Sequence, residues 1–248
     1  MVIDRKNKFV FIELPLTATS AISKEIRDMY GCESFLNKHA TYRNFLKKAS
    51  PEERKYATIG SMRNPLDQTV SMYFKYKNDK ELGERFSTGK NKFSRRNGTI
   101  LRRLLSFNRH KSRANYVTRN DATFEEFFLK FFKFPFSNWS ILDHKRFDYI
   151  IHFENLVTEY RNVFTSAGLS LQRDLPLSNK TPGRSKDFWS YYATDKIKRR
   201  AKFVFGPFMR YWGYQFPESW NNIKEPWYGQ VLYNITNIPS KIYWRYLM

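Results

Sequence analysis

The chain has 248 residues, 41% hydrophobic and 18% aromatic, enough to bury a sizeable core and to exclude a disordered tail. Lysine and arginine number 44 against 23 aspartate and glutamate, a net +21 that predicts anionic partners: nucleic acid, a phosphorylated cofactor, an acidic polysaccharide or anionic lipid. The single cysteine, Cys32, excludes internal disulfides and thiolate clusters, and the histidines at 39, 110, 144 and 152 share no metal-ligand spacing, so no metal site is expected.

In chain order, Met1 to Lys8 holds no signal-peptide core and leads into an apolar run from Phe9 to Leu14 that reads as a buried strand. The run breaks at Pro15. A turn, Leu16 to Ser20, then opens a helix in which Ala21, Ile22, Ile26 and Met29 recur at helical spacing and Gly31 is the stop, with Thr19 or Ser20 as the expected cap. Tyr56 to Met62 reads as a second strand. It ends at Arg63 and Asn64, and Pro65 begins a helix carrying Leu66, Val70, Tyr73 and Tyr76 or Lys77 on one face. Residues 85–119 stand apart as a basic insertion, with eleven Lys/Arg, no Asp or Glu, and a short helical core at Ile100, Leu101, Leu104 and Leu105. Phe147 to Phe153 is a third strand, followed by a helix from Leu156 to Ala167 and a stop at Gly168. Strand, turn and helix repeated three times predict an α/β fold with a parallel central sheet flanked by helices, built as one domain over residues 1–248. The aromatic arm at 228–248 contains Pro239 and alternates too irregularly for a clear amphipathic helix, so it reads as a packed arm or a surface-seeking segment. No run reaches the roughly 18 apolar residues of a membrane span. These features predict a cytoplasmic protein without a transmembrane segment and leave peripheral membrane contact open.

Chemistry concentrates at two of the turns. Thr17, Ala18, Thr19 and Ser20 put hydroxyls and backbone N–H groups at a helix N-terminus, where an anion is favoured; ordinary capping is the competing reading. Neither a nucleotide-triphosphate loop nor a dinucleotide glycine fingerprint occurs. Arg63 ends the second strand and Ser71 follows eight residues later, a guanidinium fork and a hydroxyl suited to phosphate. His39 is a candidate general base, Glu13 an alternative, and His152 with Glu154 reads as structural.

These residues resemble a known family. Phe11 to Ser20 resembles the 5′-phosphosulfate loop of sulfotransferases, and the Arg63-Asn-Pro block with Ser71 and Tyr73 is similar to their 3′-phosphate motif. Lys38 with His39 resembles a segment of the carbohydrate-modifying branch, the heparan-sulfate-2-O-like and bacterial enzymes; so do Phe147 to Leu156 and Trp212 to Phe216. The matches keep their order over residues 9–216, most of the chain. The resemblance implies a three-layer P-loop-like fold and an enzyme that moves a sulfuryl group from 3′-phosphoadenosine 5′-phosphosulfate (PAPS) to a hydroxyl of a carbohydrate acceptor. It implies that Thr17 to Ser20 hold the 5′-phosphosulfate and that Arg63 and Ser71 hold the 3′-phosphate, with Lys180 and Arg184 as cations in the loop that closes over the nucleotide. His39, or else Glu13, would take the acceptor proton. One departure stands out: relatives place a catalytic lysine after the loop proline, and this chain has Leu16; Thr19 also replaces a smaller residue. A sulfotransferase-fold protein that binds nucleotide or acidic polysaccharide without turnover is therefore the first alternative. A basic nucleic-acid-binding protein is the second, disfavoured because no RNP, helix-turn-helix or zinc-finger signature accompanies the charge.

Overall fold

The computed structural model describes residues 1–78, 100–135, 143–171, 173–176 and 182–242. In chain order the strands are β1 (Val2–Asp4), β2 (Phe9–Phe11), β3 (Glu33–Ser34), β4 (Ala57–Met62) and β5 (Tyr149–His152). The α-helices are α1 (Thr19–Tyr30), α2 (Tyr42–Lys48), α3 (Pro65–Asn78), α4 (Ile100–Arg119), α5 (Phe124–Phe131), α6 (Leu156–Ser166), α7 (Asp195–Trp212) and α8 (Trp227–Ile242). The chain divides into two compact units, Met1–Asn64 with Asn138–Lys180, and Pro65–Ser137 with Thr181–Met248.

The first unit is α/β, with one five-stranded sheet in the order β3-β1-β2-β4-β5. The expected parallel arrangement holds for β2, β4 and β5, in the register Phe9 to Ala57 and Ile59 to Tyr149. It fails for β1 and β3, which pair antiparallel, Val2 opposite Phe11 and Val2 opposite Ser34, so the sheet is mixed. The cause is local. The chain reverses between Asp4 and Phe9, where Asp4 Oδ1 accepts from the Asn7 N–H at 2.8 Å and Lys8 adopts a left-handed φ of 55°. A link that short allows a hairpin but no crossover.

Alternation along the strands sorts the core onto two faces. Val2, Phe9, Phe11, Ile59 and Ile151 pack against Ile22 and Ile26 of α1 and Tyr160 and Phe164 of α6. Ile3, Val10 and Ile12 point the other way and cluster with Phe45 of α2, Tyr56 and Phe147. On that second face Gly60 lies so close to the Phe147 ring that an added Cβ would stand 2.7 Å from it. Helices α1 and α6 end where expected: Gly31 and Gly168 take left-handed φ values of 67° and 77° that favour glycine.

The second unit is helical among its described residues. Its core is aromatic: Phe124, Phe127 and Phe128 of α5 pack with Tyr73, Tyr192, Phe205 and Trp220. Leu66, Val70, Tyr73 and Tyr76 of α3 are buried in the expected register. The basic stretch contains a full helix, α4, rather than a short helical core, and Ala114 and Val117 of that helix are core residues. Residues 85–99 of the basic stretch and 243–248 of the aromatic arm lie outside the described residues. The arm's remainder forms a continuous helix, α8, despite its irregular alternation and Pro239. No helix of the described residues is long and apolar enough to cross a membrane.

Candidate functional site

In the first unit β2, β4 and β5 run parallel, so their carboxyl ends lie at one edge of the sheet, where open α/β sheets bind ligands. The loop leaving β2 is held there by the Ile12 N–H donating to the Ile59 carbonyl at 2.8 Å. Its backbone is unusual: Leu16 and Ala18 take left-handed φ values of 66° and 60°, which cost non-glycine residues about 1–2 kcal/mol each. Ala18, not Thr19 or Ser20, is the N-cap of α1, and it supplies no side-chain hydrogen bond.

The hydroxyls expected to cap or bind turn elsewhere. Thr19 Oγ1 donates to the Leu14 carbonyl at 2.8 Å. Thr17 Oγ1 bonds the same carbonyl at 3.2 Å and lies 2.8 Å from Ser61 Oγ on β4. Both threonines are buried, so they stitch the loop to the sheet, while Ser20 is exposed at the start of α1. Lys38 reaches that point and donates to Ser20 Oγ at 2.8 Å, placing an ammonium at the positive end of the α1 macrodipole. Two cation-bearing segments thus meet the turn, because Arg63 Nη1 also donates to the Leu16 carbonyl, at 3.2 Å. The Arg63 guanidinium lies over the Phe153 ring at 3.9 Å, which fixes its plane. At the neighbouring strand end, the Asn64 N–H donates to Glu154 Oε1, and His152 pairs with Glu159 at 2.8 Å.

His39 is half-buried, with a left-handed φ of 66°. Its Nδ1 lies 3.1 Å from the Glu13 carbonyl, which only accepts, so Nδ1 carries the proton and Nε2 keeps its lone pair. Burial holds the imidazole pKa below its ordinary value, with the adjacent Lys38 charge adding to the effect. At neutral pH His39 is a neutral imidazole with a basic Nε2. Glu13 is differently placed: its buried carboxylate accepts from Ser23 Oγ at 2.7 Å and pairs with the Met1 ammonium. Burial raises its pKa, but those partners outweigh burial and keep it below the ordinary carboxylate range.

In the second unit, Ser71 and Arg184 are brought together. Arg184 Nη1 donates to Ser71 Oγ at 2.5 Å, and Nη2 pairs with the buried carboxylate of Asp67. Asp67 escaped the sequence reading, yet its spacing from Ser71 carried the signal, since residues four apart share one helix face. Lys180 and the loop up to Thr181 lie outside the described residues. Among the described residues no group of three His, Cys, Asp or Glu could hold a metal ion. Comparison with protein-family models, curated proteins and solved structures finds no match.

Proposed function

We propose that the protein is a sulfotransferase of three-layer, P-loop-like architecture that moves a sulfuryl group from PAPS to a hydroxyl of a carbohydrate acceptor. The observation that carries this reading is the hydrogen bond from Arg63 to the Leu16 carbonyl: two motifs far apart in sequence meet at the carboxyl ends of parallel strands, beside the N-terminus of α1. That end of a helix favours an anion, and Arg63 and Lys38 add positive charge beside it. Ser71, which the family resemblance assigns with Arg63 to the 3′-phosphate, accepts from Arg184, a cation of the loop that the resemblance closes over the nucleotide, and such a hydroxyl–guanidinium pair is of the kind phosphate oxygens accept from. Of the two candidate bases, His39 has the available lone pair, whereas the Glu13 carboxylate is engaged by Ser23 and Met1.

In the proposed reaction the acceptor hydroxyl attacks sulfur in line with the leaving phosphate oxygen. His39 Nε2 takes the proton of the acceptor hydroxyl as its oxygen forms a bond to sulfur. The bond from sulfur to the bridging phosphate oxygen breaks, leaving 3′-phosphoadenosine 5′-phosphate (PAP). Cations and helix N–H groups meet the charge that grows on the leaving oxygen. Leu16 contributes no such charge, and the Thr17 and Thr19 hydroxyls turn to Leu14 and Ser61, which supports a second reading in which nucleotide binds without turnover.

Sulfate transfer from labelled PAPS across a panel of neutral and acidic glycans, with peptide and nucleic-acid controls, separates these readings. PAP at about a hundredfold excess over its dissociation constant should add about 2.7 kcal/mol, hence roughly 5–10 °C in Tm, while adenosine 5′-phosphate should do much less. A PAP shift without transfer selects the binding protein. No shift from either nucleotide refutes both.

A further inference from the structure

Helix α8 (Trp227–Ile242) has two unlike faces. Gly229, Tyr233 and Asn237 are buried, and Gly229 lies against Phe203 of α7. On the outer face Val231 is 45% exposed, Ile242 51%, Ile235 57% and Ile238 58%, and Trp227 at the first turn is 80% exposed. At 100° per residue the four aliphatic side chains fall within roughly 60° of arc, so they form one stripe rather than scattered surface residues.

A cleft of about 480 Å³ runs along one edge of this stripe, lined by Arg210, Tyr211, Gln230, Asn234 and Lys241. Arg210 donates to Gln230 Oε1 at 2.7 Å and pairs with Glu225; Lys241 Nζ stands 6.0 Å from the centre of the Tyr211 ring. With Arg210 matched by Glu225, Lys241 gives this edge its positive charge.

Charge decides what covers the stripe. Its 4-3-4 spacing would suit a coiled-coil seam, but seams between copies are flanked by paired acids and bases. From Trp227 to Met248 the sequence has no Asp or Glu, and a second copy would bring another net +21. An anionic surface is attracted by the same charge. Trp227 and Tyr228 at one end of the helix, and Tyr243, Trp244 and Tyr246 in the sequence beyond it, are the residue types of the membrane–water interface. At 16 residues the helix is not long and apolar enough to span. We infer that α8 lies in the surface of a bilayer containing anionic phospholipid, the stripe among the upper acyl chains and Lys241 with the cleft taking a headgroup.

Co-sedimentation of the full chain with phosphatidylcholine vesicles, with and without about a third phosphatidylglycerol, tests this. The anionic vesicles should bind at least roughly tenfold more tightly, and Ile235→Gln with Ile238→Gln should lower that binding by roughly tenfold or more at unchanged Tm. Lys241→Gln should weaken binding to the anionic vesicles only. No vesicle binding by the wild type refutes the inference. Equal binding by the double variant refutes it too, since charge alone would then suffice. A lipid-free dimer that the double variant reduces to monomers, seen by sedimentation velocity, would assign the stripe to a second copy instead.

Discussion

Removing the guanidinium of Arg184 tests the polar cluster of the second unit. Asp67 is buried, its side chain 4% exposed, and Arg184 is its cation. Arg184→Met keeps most of the side-chain volume and leaves a buried carboxylate without that charge, a change that typically costs about 3–5 kcal/mol. Asp67→Asn keeps a carbonyl acceptor for the guanidinium and weakens a charge-assisted bond, costing about 1.5–3 kcal/mol. Ser71→Ala removes the hydroxyl that accepts from Arg184, for about 1 kcal/mol. Because the first two changes act on one contact, the double variant should be less destabilised than their sum by about 1–3 kcal/mol.

Urea unfolding followed by tryptophan emission suits this unit, which holds Trp189, Trp212, Trp220, Trp227 and Trp244 of the chain's 6 tryptophans. If Arg184→Met costs less than about 1 kcal/mol, or the cycle is additive, the burial argument for the pair is wrong. The same variants bear on nucleotide binding. Asp67 offsets the Arg184 charge, so Asp67→Asn should strengthen the stabilisation by PAP and Arg184→Met should weaken it, if Arg184 meets a phosphate.

His110 Nδ1 lies 2.6 Å from the Tyr76 hydroxyl, and burial, with Arg113 and Arg109 adding to it, lowers its pKa from 6.5 to about 4. The unfolded chain therefore takes up the proton first. Its contribution to stability is complete above pH 6.5 and falls by about 3 kcal/mol as pH drops to 4, a slope that urea titrations of His110→Gln should lack. Burial, with Asp4 beside it, pushes the Cys32 thiol up to about 12, so the native protein should resist a thiol reagent at pH 8 and react in urea; rapid native labelling would contradict that burial. Gly60→Ala should cost about 1–3 kcal/mol, because the new methyl must displace the Phe147 ring, and an unchanged Tm would show that the ring yields freely. Leu16→Lys should raise sulfate transfer by about 10²-fold if charge on the leaving oxygen limits the wild type, and no gain would leave Lys38 as the next residue to replace.

The legible parts of this chain are those whose cause is local. Phe9 to Leu14 and Tyr56 to Met62 announced parallel strands because each is an apolar run stopped by a proline nearby, Pro15 and Pro65. Strands β1 and β3 were opaque. Val2–Asp4 is three residues long and Glu33–Ser34 two, and their pairing depends on a hairpin turn and on partners distant in sequence. In the second unit, α7 runs through Gly206 and Pro207, residues that ordinarily end a helix; both are buried, and packing overrides the local signal. The site divides the same way. The place of Arg63 at a strand end was legible because Asn-Pro follows it, whereas the tautomer of His39 was not, since the Glu13 carbonyl sets it. The orientation of the Thr17 and Thr19 hydroxyls was not legible, since it depends on Leu14 and on Ser61 of another strand. Nor was the left-handed backbone at Leu16 and Ala18, which no glycine marks. Strain held by surrounding structure clusters at functional sites, so these two residues support the proposed anion site independently of the hydroxyls that first suggested it.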